Sequence, residues 1–416
     1  MAKNEAGLIM REYDNITIEE ILESDLITTH FQPLLSFKRK QIIGFEALSR
    51  GINPVDNSLI PPQLLIEEAE QYGLALELDR LFRRKALENF SSYYRKNRNS
   101  VLSINLDSNA IKEGIGSKHL IKEVEKHNIN PSSIIIEILE SEVSDIESLG
   151  RFVSDYRKMG FMIALDDFGA GFSNWDRIVS LKPDLIKLDR SIINKIDGDF
   201  YRQEVARSII KLSHNTGSIV IAEGIENENE ALKVLELNAD MLQGYLMGCP
   251  SPLQEIDTDI ISERMNLVSA EFIRGRNLRI KNEEKEIQQH TELIDRIVFK
   301  LSSGERYLPE ETLKEVLAKY RPIECAYILD DSGIQTSETV INSMIKKGGR
   351  SRIFQPDDSG SDQSNKDYFY SLFNGHTRYI SEPYISTATG NMCITFSKRY
   401  IDPEGNNRIL CVDIKK

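Results

Sequence analysis

The sequence has few cysteines, no long apolar run and no excess of basic residues. Its four cysteines lie far apart without a CxxC pair, which argues against a disulfide framework and a zinc knuckle. No apolar stretch approaches the roughly 20 residues that cross a bilayer, and the first residues lack the apolar core of a signal peptide. Lys and Arg total 52 against 65 Asp and Glu, and the net charge of −13 disfavours binding to a DNA or RNA polymer. We therefore expect a cytoplasmic protein without a membrane span.

Short apolar runs alternate with longer amphipathic stretches over most of the first 250 residues. Each run ends in polar residues, which is typical of alternating strands and helices. The runs cover residues 30–37, 42–50, 101–106, 134–139, 161–168, 185–189, 219–224 and 241–246. Eight such strands predict an α/β fold of the (β/α)8 barrel type, because residues 19–256 come close to the roughly 250 residues that it needs. A doubly wound open sheet is the alternative, and the absence of a GxGxxG or GxxxxGK[ST] turn after the first run counts against it.

The remainder of the chain has a different pattern. Residues 257–303 carry apolar side chains at helical spacing amid dense charge, which predicts one or two long helices that connect two domains. A last barrel helix followed by a solvated linker is the alternative for this segment. Alternating apolar runs at 325–329, 392–397 and 409–414 surround a polar stretch at 357–364, and they predict a small α+β domain with an antiparallel sheet and one mobile loop. The expected organisation is a terminal segment 1–18, a barrel 19–256, a helical connector 257–303 and a smaller domain 304–416.

Acidic side chains recur at the downstream ends of the predicted strands. With one asparagine they form a set of six, namely Glu46, Asn105, Glu137, Asp166, Asp167 and Glu223. In a barrel these strand ends share one rim, where several carboxylates would raise one another's pKa values unless a cation were present. Mg²⁺ and Mn²⁺ prefer oxygen ligands, and such a set can hold two ions about 3.5–4 Å apart. The pattern therefore predicts a two-metal site that activates water for attack at phosphorus.

Three further polar residues at strand ends have two interpretations each. Lys187 could hold a water or a phosphoryl oxygen, or form a salt bridge to Asp189. Gln243 could bond a nucleotide or a water on the metal, or only the backbone. Arg50 could clamp a substrate phosphate or form an ordinary ion pair. None of the six histidines occurs in an HExxH or HxH arrangement, so a zinc hydrolase is disfavoured.

The same residues resemble a known family, the EAL domain of cyclic di-GMP phosphodiesterases. The signature tripeptide stands at residues 46–48 within a match to ExLxR, and the other motifs follow in the family's order. They are Phe31-Gln32-Pro33, Asn105-Leu106, Glu137 with Glu140, Asp166-Asp167-Phe168-Gly169, Lys187 with Asp189, Glu223-Gly224 with Glu226, and Gln243-Gly244-Tyr245. The resemblance covers about residues 19–256 and implies a modified (β/α)8 barrel with one antiparallel strand.

The resemblance also implies a reaction and a role for each matching residue. The reaction is Mg²⁺- or Mn²⁺-dependent hydrolysis of one phosphodiester of cyclic di-GMP to linear pGpG, with Ca²⁺ as an inhibitor. The implied metal ligands are Glu46, Asn105, Glu137, Asp166 and Asp167, with Asp166 as the bridge. Lys187 and Glu223 orient or deprotonate the attacking water and form the catalytic set together with Glu46 and Asp167. The implied substrate contacts are Gln32, Leu48, Arg50, Asn105, Asp189 and Gln243, and Glu140 stabilises the loop after Asp167.

A few positions depart from the family pattern. Leu139 replaces the usual Thr before Glu140, and Ala170 and Phe172 replace the frequent Thr and Tyr of DFGTGYS. The family uses the loop at 168–174 for dimerisation and for arranging the metal site, so the resemblance implies a homodimer in which this loop matters. Two functions remain open: an active phosphodiesterase, and a cyclic di-GMP receptor that hydrolyses slowly or not at all.

The C-terminal region resembles a PAS/Cache-type sensor domain in segments 367–369, 379–384 and 388–390. This implies a regulatory domain that binds an unidentified small molecule. Asp367, Tyr379 and Tyr384 are candidate pocket residues, although packing and turn formation are equally good roles for them. No GGDEF-like synthase motif occurs in the sequence, so synthesis of the cyclic dinucleotide is not expected.

Overall fold

The structure is a computed structural model that describes residues 16–106, 118–139, 146–171, 175–303, 308–345 and 353–416. The chain divides between Arg276 and Asn277 into two units, each with its own sheet. Over the described ranges, none of the helices has both the length and the apolar character that crossing a membrane requires.

The first unit alternates strands and helices, as the sequence pattern predicts. Its strands are β1 (Ile27–Ser36), β2 (Gln41–Ile52), β3 (Leu59–Ile60), β4 (Val101–Leu106), β5 (Ile134–Leu139), β6 (Met162–Phe168), β7 (Leu185–Leu188), β8 (Ile219–Ala222) and β9 (Met241–Leu242). Its helices are α1 (Ile18–Glu23), α2 (Pro62–Tyr72), α3 (Ala75–Lys96), α4 (His119–Lys126), α5 (Ile146–Lys158), α6 (Trp175–Leu181), α7 (Arg190–Ile193), α8 (Phe200–Thr216) and α9 (Glu228–Glu236). Side-chain caps fix several helix starts, since Thr17, Asp189, Asp199 and Asn227 each accept a hydrogen bond from a backbone N–H of the first turn.

Eight of these strands close into a barrel. The order is β1-β9-β8-β7-β6-β5-β4-β2, and β1 also pairs with β2, while β3 extends β2 outside the ring. β1 is antiparallel to both of its neighbours, and the other pairs within the ring are parallel. The turn at 37–40 between β1 and β2 is short enough only for an antiparallel pair. The predicted barrel with one antiparallel strand is therefore confirmed, and the open sheet is wrong.

An apolar layer fills the interior of the barrel. Its members are at most 2% exposed and come from five strands: Leu34, Ile135, Ala164, Leu185 and Ile221. Side chains two positions apart along a strand point to the same face. The next interior positions towards the rim on β5, β6 and β7 are therefore Glu137, Asp166 and Lys187. The apolar layer thus forms a floor beneath a polar one.

The second unit contains an antiparallel sheet with helices. Its strands are β10 (Ile323–Asp330), β11 (Val340–Ile341), β12 (Arg378–Ile380), β13 (Tyr384–Ile385), β14 (Met392–Ile401) and β15 (Asn407–Lys415), in the order β11-β10-β15-β14-β12, and β13 pairs with β14. The sheet has a core on each face, because Ile328 packs with Leu313 of helix α11 (Pro309–Leu317), whereas Tyr327 packs with Phe369 of helix α12 (Asp367–Phe373). The predicted α+β domain is confirmed, and its likeness to PAS/Cache domains stays a prediction.

One helix of 45 residues, α10 (Thr258–Ser302), runs from the first unit into the second. Near its start Ile261, Met265 and Val268 belong to the barrel core, and near its end Ile294 and Ile297 belong to the core of the second unit. A single helix therefore covers the segment for which the sequence predicts one or two. The domain limits at 256 and 304 stay a prediction, since each end of this helix contributes to a core.

We expect a chain that ends at Arg276 to be more stable than one that ends at Ile256. The shorter chain lacks Ile261, Met265 and Val268, which are at most 4% exposed. Burial of such a side chain contributes about 1.5–3 kcal/mol, so the loss should be on the order of 5 kcal/mol. Urea unfolding followed by circular dichroism measures the difference. Equal midpoints for the two chains would show that the barrel ends before α10.

Candidate active site

The polar layer of the barrel gathers side chains from strands that lie far apart in the sequence. Nine described side chains lie within ion-pair or hydrogen-bond distance of another member, namely Gln32, Glu46, Ser103, Asn105, Glu137, Asp166, Lys187, Glu223 and Gln243. Gln32 faces Glu46 in the β1–β2 register, because β1 runs in the opposite direction to its neighbours. The closed ring therefore brings the predicted strand-end acids to one rim.

Lys187 lies at the centre of this layer and is only 1% exposed. Its Nζ is 2.7 Å from Glu137 Oε1, 2.7 Å from Glu223 Oε1, 3.1 Å from Asp166 Oδ1 and 3.4 Å from Glu46 Oε2. The sequence analysis offers a salt bridge to Asp189 as one alternative for Lys187. The structure instead shows ion pairs between Lys187 and these four acids. Asp189 accepts a hydrogen bond of 2.8 Å from the Ser191 backbone N–H at the start of α7.

Burial and charge shift the pKa values of these groups strongly. Burial alone would lower the pKa of Lys187, but the surrounding carboxylates raise it well above its usual range. Burial raises the pKa of Glu137 and Glu223 well above normal, and neighbouring acids add to the rise. Burial would also raise the pKa of Glu46, but the charge of Lys187 and hydrogen bonds outweigh it, so this pKa is lowered. One ammonium cannot balance four carboxylates, and the site therefore favours additional positive charge.

Hydrogen bonds hold the carboxylates in place around Lys187. Asn105 Nδ2 donates to Glu46 Oε1 at 3.2 Å, and Gln243 Nε2 donates to Glu46 Oε2 at 2.5 Å. Ser103 Oγ donates to Glu137 Oε1 at 2.6 Å and is fully buried. Ser103 is a site residue that sequence reasoning missed. The available signal is its spacing of two from Asn105 on β4, which places both on the same face of the strand.

A backbone irregularity lets two consecutive aspartates, Asp166 and Asp167, contribute to one rim. Strand alternation alone would send them to opposite faces. The pairing of β6 with β7 shifts register between Leu165 and Phe168, and Asp167 has a left-handed φ of 53°. Its backbone N–H donates to Asp166 Oδ1 at 2.9 Å. Burial, with the nearby charges of Asp166 and Asp189, raises the pKa of Asp167 to about 6.

The acids form two overlapping triads of metal-ligand geometry. One triad is Glu46, Glu137 and Asp166, and the other is Asp166, Asp167 and Glu223, with one ligand atom from each residue within 4.8 Å of the others. Glu137 Oε2 is buried, and among the described residues it has no hydrogen-bond partner. A buried carboxylate oxygen without a partner fits a cation as its missing neighbour. The donor set, all oxygen, suits hard divalent ions.

Two cavities open beside this layer. A cavity of about 520 Å³ is lined by Leu48, Arg50, Asn105 and Asp167, and one of about 190 Å³ by Gln32, Glu46, Leu48, Glu223 and Gln243. The larger cavity also contacts a buried ion pair between Asp79 and Arg83, which the sequence analysis does not single out. Arg50 Nη1 donates to the backbone oxygen of Ser49 at 2.7 Å, and this is not the ion pair that the sequence offers as an alternative.

Glu140 and Phe172 lie outside the described residues. Leu139 ends β5, and its backbone oxygen accepts a hydrogen bond of 3.2 Å from Arg177 Nη1 on α6. The loop that the sequence analysis associates with dimerisation is described only at residues 168–171. The predicted role of Glu140 therefore stays a prediction.

Comparison with known proteins places the barrel in a family. The sequence profile of the EAL domain matches residues 17–250. The chain belongs to the EAL domain family. This match spans the whole ring of strands and each site residue named above, so the family resemblance inferred from the sequence motifs is confirmed.

Several curated relatives share this EAL domain. The YkuI protein of Bacillus subtilis, an uncharacterised EAL-domain protein, is 26% identical over 384 residues, which cover 90% of this chain and 91% of YkuI. The probable cyclic di-GMP phosphodiesterase PdeB of Escherichia coli is 28% identical over 57% of this chain. The signaling protein YkoW of Bacillus subtilis is 28% identical over 60% of this chain. The chain spans less than half the length of PdeB and YkoW.

Solved structures of EAL proteins share the fold. The crystal structure of YkuI, in complex with substrate c-di-GMP and calcium, has a TM-score of 0.79 at 24% identity and covers 96% of this chain and 99% of that one. The phosphodiesterase PaMucR in complex with c-di-GMP has a TM-score of 0.53 at 25% identity and covers 57% of this chain and 97% of that one. The likeness to YkuI extends over both units of the chain.

We expect divalent ions to stabilise the full chain through these triads. Mn²⁺ at 100 times its dissociation constant should add about 2.7 kcal/mol to the free energy of unfolding, and a chelator should remove the gain. Glu137→Gln should weaken the gain strongly, because it removes the charge of the carboxylate with the unpartnered oxygen. Thermal unfolding with and without Mn²⁺ measures the effect. The exposed Glu23→Gln is the control, and a gain of equal size in both variants would rule out the triads as the metal site.

Proposed function

We propose that the barrel hydrolyses one phosphodiester of cyclic di-GMP to linear pGpG with two divalent ions, Mg²⁺ or Mn²⁺. The observation that carries this proposal is the pair of triads that share Asp166 beside Lys187. Relatives of the EAL domain support the substrate, because PdeB is named a probable cyclic di-GMP phosphodiesterase and PaMucR is seen in complex with c-di-GMP. The ions, when bound, would supply the Lewis acidity for attack of water at phosphorus.

The chain's own residues position the reactants around these ions. Glu46, Asn105, Glu137, Asp166 and Asp167 would hold the metal. The larger cavity offers the Arg50 guanidinium for a phosphate and the half-buried Leu48 side chain for apolar contact with a base. Gln243 Nε2 donates a hydrogen bond of 3.0 Å to Gln32 Oε1. Both residues line the smaller cavity, where they would contact the substrate.

Two groups are suited to handle the proton of the attacking water. Glu223 lines the smaller cavity and lies beside Asp166 in one triad, so its carboxylate would accept the proton of a water held there. Lys187 stays an ammonium, and its Nζ forms an ion pair of 2.7 Å with Glu223 Oε1, so it would orient this carboxylate and the water. Asp189 caps α7 and does not pair with Lys187. It remains a proposed substrate contact.

A receptor that binds cyclic di-GMP without rapid hydrolysis is the second candidate. The observation that favours it is Leu139 at the end of β5, where the family carries Thr and where the backbone oxygen accepts a hydrogen bond from Arg177. The receptor and the enzyme share the same ligand and the same acids. They differ in whether product forms.

We expect the full chain to convert cyclic di-GMP to pGpG with Mn²⁺ or Mg²⁺, and to bind it without turnover in Ca²⁺. Glu223→Gln should lower the rate by about 100-fold or more, since a general base contributes roughly 10²–10⁴. Chromatography of the products and binding in Ca²⁺ are the measurements. The exposed Glu228→Gln, five residues along the chain, is the control. Binding without product would select the receptor, and an unchanged rate in Glu223→Gln would refute the assigned role.

We further propose a homodimer that forms through helix α6. Trp175 and Val179 lie four residues apart on this helix and are 48% and 72% exposed, so they form an exposed apolar pair on one helix face. The Trp175 ring contacts Phe168 edge-on at 5.5 Å, next to Asp167. A dimer at this face would therefore lie close to the metal ligands.

Val179→Asp should dissociate the dimer, because a carboxylate on the buried face of an interface has no partner there. Sedimentation equilibrium at micromolar protein measures the mass. Val205→Asp on α8 is a matched control, since Val205 is 50% exposed and lies on another helix. A dimer that persists in both variants would place the interface elsewhere, and a monomeric parent protein would refute the homodimer.

The second unit is proposed to regulate the barrel in response to a small molecule. Among the described residues the metal-ligand triads belong to the barrel alone, so the second unit would contribute control and no catalytic group. Such control requires that its ligand bind two states of the protein with different affinity. The cytoplasmic location and the absence of a polymeric nucleic acid partner stay predictions.

A further inference from the structure

A cavity of about 230 Å³ lies wholly within the second unit. Four tyrosines line it, namely Tyr327, Tyr368, Tyr379 and Tyr384. At about 30 Å³ per water it has room for about eight waters, which is smaller than the usual site for a drug-sized ligand. Its ligand must therefore be small and must suit an aromatic wall.

Gln363 lines this cavity and is only 4% exposed. Its backbone N–H donates to the Gly333 oxygen, but its side-chain amide has no hydrogen bond to any part of the chain that the structure describes. Gln363 lines the cavity wall, so its amide can form hydrogen bonds with a polar group inside the cavity. Gln363 therefore offers a polar contact to a ligand in the cavity, independently of the charges around it.

The charges that line the cavity are mainly negative. Asp413 lies at the inner end and is 2% exposed, and Asp357, Asp367 and Glu382 lie at the outer end and are exposed. Lys366 is the single basic residue among the described lining residues. Such a surplus of carboxylates attracts cations and repels anions.

Asp413 is held by neutral donors alone. Oδ1 accepts hydrogen bonds from Tyr384 at 2.9 Å and from Thr395 at 2.9 Å, and Oδ2 accepts from Ser386 at 2.8 Å and from Cys325 at 3.4 Å. These hydroxyl and thiol groups orient the carboxylate but leave its charge uncompensated, and no described residue forms a salt bridge with it. Burial raises the pKa of Asp413. A weakly hydrated cation beside this carboxyl group and the tyrosine rings would stabilise its charged form.

We propose that this cavity binds a small organic ammonium ion, which lies against the tyrosine rings with Asp413 as its counter-charge and Gln363 as a polar contact. The ligand class follows from the aromatic wall, the surplus of carboxylates and the Gln363 amide together. The proposal does not depend on the reaction proposed for the barrel.

Isothermal titration calorimetry on the full chain tests this with choline, tetramethylammonium and 1,4-diaminobutane at constant ionic strength. Choline has a neutral counterpart of the same shape, 3,3-dimethylbutan-1-ol, which isolates the role of charge. We expect at least one cation to bind with millimolar affinity or better, and the neutral alcohol to bind at least tenfold more weakly. Equal affinity for choline and the alcohol, or no binding of any of the three cations, would overturn the proposal.

Variants locate the binding to the cavity. Asp413→Asn should lower the affinity at least tenfold, and circular dichroism checks that the variant folds. The double variant Asp357→Asn with Glu382→Gln removes two exposed charges of the lining without touching the buried network, and it should also weaken binding. Asp358→Asn, an exposed neighbour outside the lining, is the matched control. Unchanged affinity in the double variant and in a folded Asp413→Asn protein would place the cation elsewhere.

Discussion

The contact of the Lys187 ammonium with four acids, three of them buried and Glu223 half-buried, is the interaction on which the barrel site depends. A charge with 1% exposure requires partners that are fixed in place, and Lys187 in turn offsets part of the negative charge of these acids. The apolar floor keeps water out from below, which strengthens each of these electrostatic contacts. The acids of this layer outnumber its single ammonium. The same side chains that surround Lys187 are therefore suited to bind divalent cations.

The sequence predicts most of the barrel and its rim, because the alternation of strands and helices and the position of acids at strand ends are both visible in short segments. Apolar runs that end in acids indicate both the strands and the rim, and the ring places those acids together. The reversed direction of β1 is not visible in its apolar pattern, because a strand buried on both faces looks the same in either direction. The spacing of Ser103 from Asn105 indicates the face of the strand on which it lies, but it does not indicate which carboxylate Ser103 meets on the neighbouring strand.

The second unit was less predictable because its features depend on long-range pairing. The polar stretch at 357–364 reads as a loop from its Gly and Ser content, yet Asp357 and Gln363 from that stretch line a cavity with β10 and β15 residues. The limits of the domains were obscured by α10, whose charged surface resembles a linker although both ends are core elements. The charged and polar residues of such a segment face solvent and dominate its composition. Its place in the fold depends on the few side chains that face inward.

The left-handed backbone at Asp167 has a consequence for how proteins of this kind change during evolution. Asparagine and glycine adopt such a conformation with little strain, whereas β-branched residues do not. Single-nucleotide changes in an aspartate codon produce either of these two residues. Loss of one carboxylate from the rim is therefore possible without damage to the fold. A barrel that keeps its fold but lacks one candidate metal ligand can therefore arise in one mutational step.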